Sequence, residues 1–376
     1  MKRNMLSKKI LAVLMTAAIT MGSTSSVWAV ERKDAAEIKA ENQVADESAE
    51  ADSGEESDTD NEGADASSKK TEYPITITTY DYEGNEIETT YEKAPEKVLA
   101  VYQGCVETML ALGLEDHLVA TAGLDNEVPD EQKTAFSKTN YLEEFAPSLE
   151  TATMLEPDMI FSWGSLFADD KLGDNSNWIE KGCNTYINSN TRKNSDAVKH
   201  KRTLENEITD ILNIGKIFDV QDKAESIVAD IQSVIDQTLE AAKGLDEKPS
   251  VLILEPLGDS ITNYGAVSLG GDMVTKLGAE LVNPDASEVG KEDIIAANPD
   301  IIFVVYMPYS GDDPETVKES QLNVIMEDEA LKSLDAVNNG KVVPIMLSEM
   351  YASATRTQEG MVTFAENLYP DLELTK

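Results

Sequence analysis

A short sequence pattern occurs twice in the chain, 142 residues apart, and it restricts the possible folds more than any other feature. The first copy covers residues 150–161 and the second covers residues 292–303. Each copy consists of a glutamate, six further residues, Pro-Asp, and three apolar residues that begin a strand. A short helix followed by a buried strand, duplicated at the distance of a domain, predicts two α/β lobes of the same design.

The N-terminus has the pattern of a secretory signal. Four basic residues among the first nine precede an apolar run from Ile10 to Met21, and Val27 and Ala29 suit a signal peptidase. We predict a signal peptide over residues 1–29, cleaved after Ala29, because the apolar run is too short to span a bilayer. An uncleaved membrane anchor is the alternative.

The next segment has a different composition. Residues 30–70 contain fourteen acidic residues, five basic residues and no aromatic residue. Such a segment buries too little apolar surface to offset the entropy lost on ordering. We therefore predict a disordered acidic spacer over residues 30–72.

The rest of the chain is strongly acidic. Of the formal net charge of −40, the signal contributes +4 and residues 30–70 contribute −9, which leaves −35 for the folded part. Nucleic acid and anionic membrane surfaces are therefore poor partners, and a basic docking surface or a cationic ligand is favoured. The solubility of an exported protein explains much of this charge by itself.

The chain contains only two cysteines and two histidines. Cys105 and Cys183 are too few for a disulfide framework, and their apolar surroundings favour small core residues, with a single bridge as the alternative. Neither lies at the end of the signal peptide, so lipid attachment there is not predicted. His117 and His200 form no spaced cluster with other ligands, so we predict no metal site.

The folded part alternates strands and short helices, which predicts parallel sheets covered on both faces. The first lobe is predicted over residues 73–220 and begins with a β-hairpin. The longest helical pattern covers residues 221–244, with apolar residues at spacings of three and four. The second lobe is predicted over residues 245–376. One long helix between two lobes forms a stiff strut that permits small rocking but little hinge closure.

These features together resemble the iron-complex/cobalamin type (class III) of solute-binding proteins, which serve ABC importers. The resemblance runs from about Lys97 to Pro370. It rests on the order of four motifs: the repeated Glu-x6-Pro-Asp, the helix end at residues 110–113, the strut helix, and the ending from Arg356 to Pro370. The resemblance implies two Rossmann-like lobes joined by a single long rigid helix. It also implies a small-molecule ligand in a shallow cleft, namely an iron chelate, haem or a corrinoid, with no cofactor and a monomeric protein.

The resemblance gives the repeated glutamates a role. Glu150 and Glu292 match the positions at which similar proteins reach arginine pockets on the permease subunits, which work with a cytoplasmic ATPase. Two carboxylates on lobes held apart by a strut suit two-point docking. The alternative is structural, because acidic residues are favoured in the first turn of any helix.

Ligands of open α/β sheets bind beyond the carboxyl ends of the strands. Aromatic residues cluster there in this chain, which suits a large, flat, partly apolar ligand. Trp163 matches an aromatic contact in cobalamin-binding relatives, and ordinary packing is the alternative for each position. The predicted ligand-binding residues are Tyr102, Gln103, Trp163, Gly164, Tyr264, Tyr306, Met307, Met350, Tyr351 and Arg356.

Arg356 is one of three arginines in the folded part, with Arg192 and Arg202. It either meets a carboxylate or phosphate of the ligand or caps an acidic loop that contains Glu349. So few arginines weaken the case for a strongly anionic siderophore and leave a corrinoid, haem or a less charged chelate open.

We therefore predict an exported binding protein, extracellular or at the cell surface, or periplasmic in a cell with two membranes. The sequence contains no Gly-x-Ser-x-Gly turn, phosphate loop or dinucleotide fingerprint, so we predict that it is not an enzyme. A surface sensor or adhesion module without an importer is one alternative. A hydrolase that uses paired carboxylates is the other.

Overall fold

The computed structural model describes residues 70–194, 199–245 and 247–375. The predicted signal peptide and nearly all of the predicted spacer lie outside the described residues. Thr71, which the spacer was predicted to include, is buried. Its amide donates to the carboxylate of Asp219 at 2.6 Å, and its hydroxyl donates to the carbonyl of Lys216 at 2.7 Å. The folded part therefore begins by Thr71, which corrects the predicted boundary at residue 72.

An antiparallel hairpin comes first, formed by β1 (Ile75–Tyr80) and β2 (Glu86–Tyr91). Alternating Ile and Thr residues give the hairpin one inward and one outward face. The turn is closed by Asp81, whose carboxylate accepts the amide of Asn85 at 2.9 Å. The hairpin was predicted from this alternation, and it packs against the last strand of the first lobe.

The first lobe is built on a four-stranded parallel sheet. Its strands are β3 (Val98–Val101), β4 (Leu118–Ala122), β5 (Met159–Ser162) and β6 (Asn184–Ile187). The helices up to the second lobe are α1 (Gln103–Ala111), α2 (Lys133–Phe136), α3 (Leu149–Leu155), α4 (Ser176–Ile179), α5 (Leu204–Ile217) and α6 (Gln221–Ala242). The strand order is β4-β3-β5-β6. Most strand residues are buried, as expected when helices cover both faces.

The second lobe contains a five-stranded sheet. Its strands are β7 (Ser250–Leu257), β8 (Ser260–Asn263), β9 (Glu280–Leu281), β10 (Ile301–Tyr306) and β11 (Val342–Met346). Its helices are α7 (Leu269–Lys276), α8 (Lys291–Ala297), α9 (Pro314–Met326), α10 (Asp335–Asn338) and α11 (Thr357–Leu368). The order β9-β7-β10-β11 repeats that of the first lobe, which confirms two α/β lobes of one design. Strand β8, antiparallel to β7, was not predicted.

The repeated Pro-Asp has the same structural role in both lobes. In the first lobe, the carboxylate of Asp158 accepts the amides of Glu96 and Lys97, each at 2.8 Å, at the entry to β3. In the second lobe, Asp300 accepts the amide of Ser250 at 2.8 Å and its hydroxyl at 2.6 Å, at the start of β7. The hydrogen bonds of Asp158 therefore connect the start of β5 to β3, and those of Asp300 connect the start of β10 to β7.

Helix α6 is the predicted strut, and its 22 residues correspond to a length of roughly 33 Å. It packs against α5 on one side and α11 on the other. The lobes are also in direct contact: a Cβ atom at Gly104 of α1 would lie 2.8 Å from the carbonyl oxygen of Ala352 in the second lobe. Such an approach requires glycine. One apolar core extends through both lobes as a result.

Cys105 and Cys183 are both free and buried. The prediction of two small core residues is confirmed, and the alternative of a disulfide bridge is not realised.

Candidate ligand-binding site

Four aromatic rings from the two lobes form a continuous row between the sheets. The ring centroid of Tyr102 lies 5.2 Å from that of Trp163, and Trp163 lies 6.0 Å from Tyr351. Tyr351 meets Tyr264 edge-on at 6.5 Å. These separations are typical of interacting aromatic pairs. We call these four residues the aromatic row, and its contact between Trp163 and Tyr351 joins the lobes.

The topology explains how the row forms. Tyr102 directly follows β3 and Trp163 directly follows β5, so both stand at the carboxyl edge of the first sheet. Tyr351 follows β11 after a short turn, and Tyr264 reaches the row from the end of the antiparallel β8. Tyr102 has a φ of 75°, which bulky side chains rarely adopt. Its amide is held by the carbonyl of Ala122 at 3.0 Å, so the neighbouring strand maintains this conformation.

The aromatic row is in contact with two basic side chains that were not among the predicted ligand-binding residues. The guanidinium of Arg202 lies 3.8 Å from the ring centroid of Tyr351, a cation–π contact. The ammonium of Lys171 donates to the hydroxyl of Tyr102 at 3.1 Å. Lys171 and Arg202 each lie in an irregular segment, far in sequence from the ring that they contact. No local sequence pattern therefore predicts either contact.

The row is inaccessible in this structure. Tyr102 is 2% exposed, Trp163 7% and Tyr351 8%. A cavity of about 60 Å³ remains beside Tyr264 and Tyr351, and Arg202 and His200 also line it. This volume is well below the roughly 300–1,000 Å³ of a typical ligand pocket.

Arg356 lies between the lobes and is 7% exposed. Its guanidinium forms a two-point ion pair with Glu107 of α1, in which the Nε donor lies 2.9 Å from Oε2. A third donor reaches the hydroxyl of Ser348 at 3.2 Å. The pairing with Glu107 was not predicted. The contact with a ligand anion stays a prediction, and Ser348 belongs to the turn Leu347–Glu349 that was the alternative partner. Burial raises the pKa of Glu107, and the guanidinium opposes that rise.

Gln103 supports the same ion pair. Its side-chain amide donates to Glu107, and its carbonyl oxygen accepts the amide of Asp125 at 2.9 Å. Gln103 is 5% exposed. The predicted ligand-binding role of Gln103 stays a prediction, and in this structure its side chain positions Glu107.

A second buried carboxylate reaches across the lobes. Glu207 of α5 accepts the amide of Ala354 at 2.5 Å and the side-chain amide of Asn190. Burial, assisted by the charge of Asp210, raises the pKa of Glu207 to about 7. Asp210 accepts the hydroxyl of Tyr186 at 2.8 Å, and burial raises the pKa of Asp210 to about 6.

The remaining predicted ligand-binding residues lie outside the aromatic row. Met350 packs in the second lobe, where its sulfur would lie 2.9 Å from a Cβ atom at Gly270. Met307 is buried and accepts the side-chain amide of Asn126 from the first lobe at 3.7 Å. Burial raises the pKa of Tyr306 to about 12. The amide of Gly164 donates to the Thr191 hydroxyl at 3.1 Å.

The two repeated glutamates are exposed in the first turns of α3 and α8. Other residues cap these helices. The Ser148 hydroxyl accepts an amide of α3 at 3.1 Å, and Asp293 accepts the amide at the start of α8 at 2.8 Å. Within the described residues, the side chains of Glu150 and Glu292 form neither a hydrogen bond nor an ion pair. Both lie in the first turn of a helix, where an acidic residue is favourable without any side-chain contact, so the structural alternative applies to them as well as docking.

Within residues 70–194, 199–245 and 247–375, no group of three or more His, Cys, Asp or Glu side chains is arranged to hold a metal ion. None of the helices in the same ranges combines the length and the apolar character needed to cross a bilayer.

Comparison with known proteins identifies the family. The profile of the family described as periplasmic binding protein matches residues 98–346. The chain belongs to this family. The petrobactin-binding protein YclQ of Bacillus subtilis is 23% identical over 274 residues, which cover 70% of this chain and 79% of YclQ. The uncharacterized ABC transporter substrate-binding lipoprotein YvrC of the same organism is 23% identical over 317 residues, 83% of this chain and 91% of YvrC.

A solved structure supports the family membership. A periplasmic binding protein from Veillonella parvula superposes with a TM-score of 0.73 at 26% identity, over 81% of this chain and 96% of that chain. The family match and these relatives confirm the resemblance to the substrate-binding proteins of ABC importers. The relatives are binding proteins rather than enzymes.

Proposed function

We propose that the protein is the extracytoplasmic substrate-binding component of an ABC importer and captures an iron chelate, haem or a corrinoid between its lobes. The observation that carries this proposal is the aromatic row. Both lobes contribute to it, and it lies at the sheet edge where open α/β folds bind ligands. Flat π surfaces suit a ligand with aromatic rings or a macrocycle.

The charges beside the row favour an anionic ligand. Arg202 and Lys171 place two positive charges next to Tyr351 and Tyr102, in a chain that is otherwise strongly acidic. One relative, YclQ, is named for binding petrobactin. We propose that this protein binds a ligand of the same chemical class. Of the three candidate ligands, an anionic iron chelate is therefore favoured.

We further propose that Glu150 and Glu292 dock the loaded protein onto the permease. Each lies at the start of a helix that runs back to the amino end of the following strand, so both point towards the carboxyl edge of their sheets. The aromatic row lies at that same edge. Basic pockets on two permease subunits would therefore cover the opening of the cleft, and a cytoplasmic ATPase would drive release.

The location is also a proposal. A signal peptide over residues 1–29 would export the protein, with cleavage after Ala29 and an acidic spacer before the folded part. The protein would act as a monomer outside the cytoplasm, held near its importer without a lipid on a cysteine of the signal.

A thermal-shift panel tests the ligand class. The exported protein is melted with haemin, cyanocobalamin, ferric petrobactin and a ferric hydroxamate. A ligand that binds only the native state at 100 times its Kd adds about 2.7 kcal/mol, which raises the Tm by about 5 °C for a protein of this size. Ferric petrobactin or another anionic chelate should give the largest rise.

Two arginines provide a matched control for that panel. Arg202→Gln should reduce the rise, because its guanidinium lies on Tyr351 of the row. Arg192→Gln should leave the rise in Tm unchanged. Arg192 makes the same kind of contact at 4.3 Å, but with Tyr80 of the hairpin, which is not part of the aromatic row. No rise with any of the four ligands would contradict the proposed ligand class.

A further inference from the structure

A cavity that opens to solvent lies between the lobes at one end of the aromatic row. Its volume is about 60 Å³. The first lobe contributes His200 and Arg202 to its lining, and the second lobe contributes Tyr264 and Tyr351. Val267, which also lines the cavity, is 37% exposed, so a small group can enter from solvent while the lobes stay in contact. We call this cavity the end pocket.

The guanidinium of Arg202 is fixed at the end pocket, but no carboxylate neutralises it. Its Nε donates to the carbonyl of Asn190 at 2.9 Å, and it lies over the ring of Tyr351. Within the part of the chain that the structure describes, Arg202 forms no ion pair, although the chain contains 71 acidic residues. Residues 199–202 have the sequence Lys-His-Lys-Arg, which brings further positive charge to this segment. The two terminal nitrogens of Arg202 are therefore available to an anionic group.

Neutral donors complete the polar part of the lining. The hydroxyls of Thr262 and Ser287 form no hydrogen bond with other described residues. Burial lowers the pKa of His200, so His200 is uncharged at pH 7. Asp285 is the one carboxylate among the residues that line the pocket, and it is exposed, so water screens its charge. The half-buried charge of Arg202 therefore outweighs that of Asp285 inside the pocket.

The volume of the end pocket limits the size of the group that can enter. One water molecule needs roughly 10–15 Å³ of such a cavity. The volume of about 60 Å³ therefore corresponds to roughly four to six groups of that size. A carboxylate on a short aliphatic chain is of this size. The rings of haem, of a corrinoid and of an aromatic chelator are larger, so they remain outside the pocket.

We propose that the end pocket binds a carboxylate on a short side chain of the ligand, with Arg202 as the charged contact and Thr262 and Ser287 as neutral donors. The inference deepens the proposed function and rests on it only for the body of the ligand, which stays at the mouth of the pocket. It divides the candidate ligands by their side chains. A carboxylate-bearing iron chelate and haem, through its propionates, fit the pocket. A corrinoid with amide side chains and an uncharged hydroxamate chelate do not.

The first experiment needs no iron complex. Propionate and propionamide have nearly the same size and shape but differ in charge, and saturation-transfer NMR measures the binding of each to the protein. Propionate should bind with a millimolar Kd, and propionamide should bind about tenfold more weakly, because a hydrogen bond to a charged group is stronger than one between neutral groups. Equal binding of the two compounds, or no saturation transfer to propionate, would overturn the proposal.

Two variants assign the binding to the end pocket. Arg202→Gln should weaken propionate about tenfold, to the level of propionamide. Arg192→Gln is the matched control and should leave both compounds unchanged. The Nε of Arg192 also donates to a backbone carbonyl, that of Ser189 at 2.7 Å, and its guanidinium also lies over a tyrosine, but Arg192 does not line the pocket.

Ser287→Leu keeps the test decisive if Arg202→Gln fails to fold. It fills part of the end pocket and removes a hydroxyl while Arg202 keeps its charge. Propionate and propionamide should then both lose binding. Full binding of propionate in Ser287→Leu or in Arg202→Gln would place the binding elsewhere on the protein and overturn the proposal.

Iron complexes distinguish the two sources of the carboxylate. Haemin and its dimethyl ester differ only in whether the propionates are free, and ferric citrate differs from an uncharged ferric hydroxamate in its carboxylates. If haem is the ligand, haemin should bind about tenfold more tightly than its ester, and Arg202→Gln should remove the difference. If an iron chelate is the ligand, ferric citrate should bind and the hydroxamate should not.

The outcomes separate this inference from the proposed function. Binding of cyanocobalamin or of the uncharged hydroxamate that is unchanged in Arg202→Gln would overturn the carboxylate inference and leave the proposed function intact. Binding of propionate to the end pocket without binding of any of these complexes would support the pocket and count against the proposed ligand classes.

Discussion

Replacing Glu207 by glutamine should make the stability of the protein less dependent on pH. The carboxyl group is fully buried, and burial together with the charge of Asp210 raises the pKa of Glu207 from 4.5 to about 7. The folded protein therefore keeps this proton at a pH at which the unfolded chain has lost it. The free energy of unfolding falls as the pH rises from 4.5 to about 7, and this contribution is constant above that range.

The size of the change in stability follows from the pKa shift of Glu207. One pKa unit corresponds to 1.36 kcal/mol, so ionising Glu207 in the folded protein costs about 3 kcal/mol of stability. Burial also raises the pKa values of Asp210, to about 6, and Glu349, to about 7, so these groups act in the same direction. In Glu207→Gln the loss of stability between pH 5 and pH 8 should therefore be smaller by about 3 kcal/mol, while the other two contributions remain.

Urea unfolding at pH 5, 6, 7 and 8, followed by tryptophan fluorescence, measures this difference. Glu205→Gln is the matched control, because Glu205 lies on the same helix but is exposed and pairs with Lys276 at the surface. Such a surface pair contributes about 1 kcal/mol or less. An equal pH dependence in Glu207→Gln and the unchanged protein would show that Glu207 is ionised throughout this range, and the reasoning from burial would be refuted.

Two other predictions concern the repeated pattern. Asp158→Ala and Asp300→Ala should each lower the free energy of unfolding by about 2 kcal/mol, because two donors at the start of a neighbouring strand lose their acceptor. Asp170→Ala, at an exposed position, is the control and should leave the free energy of unfolding unchanged in the same urea experiment. If all three variants lose the same stability, the hydrogen bonds of Asp158 and Asp300 to the neighbouring strand are not the cause. Glu150→Lys/Glu292→Lys should abolish ligand-stimulated ATPase activity in vesicles that contain the permease and ATPase proposed as partners, while the thermal shift by ligand is unchanged. Glu180→Lys/Glu319→Lys should leave both intact, and a lost thermal shift in the first pair would assign those glutamates to the fold or the cleft.

Most of the fold could be predicted from local patterns in the sequence. The spacing of apolar residues predicted the strut, which runs over Gln221–Ala242. The duplication predicted the common design of the lobes, and Ser148 caps α3, as a serine directly before a helix commonly does. These features depend on neighbours in sequence, and periodicity and capping are rules about such neighbours. Strand β8 was missed because its antiparallel pairing is set by a short turn after β7, a connection that a parallel pattern does not suggest.

The buried carboxylates left signals that were readable in the sequence. Glu107 is the one charged residue of Gln103–Ala111, and Glu207 falls on the stripe formed by Leu204, Ile211 and Ile214. An acid at a core position requires a partner. The sequence did not reveal the partners, because Arg356 lies 249 residues from Glu107 and Ala354 lies 147 residues from Glu207.

The sequence alone determined the two-lobed design, the strut and the aromatic residues at the strand ends, because each follows from periodicity or from the position of a residue on its own strand. Only the tertiary structure decided which of these side chains meet. It brought Tyr102, Trp163, Tyr351 and Tyr264 into one row, added Arg202 and Lys171, and paired Arg356 with Glu107 of the other lobe. The physical reason is that a buried charge takes the partner that the packing of the lobes places beside it, and that packing joins segments far apart in the chain.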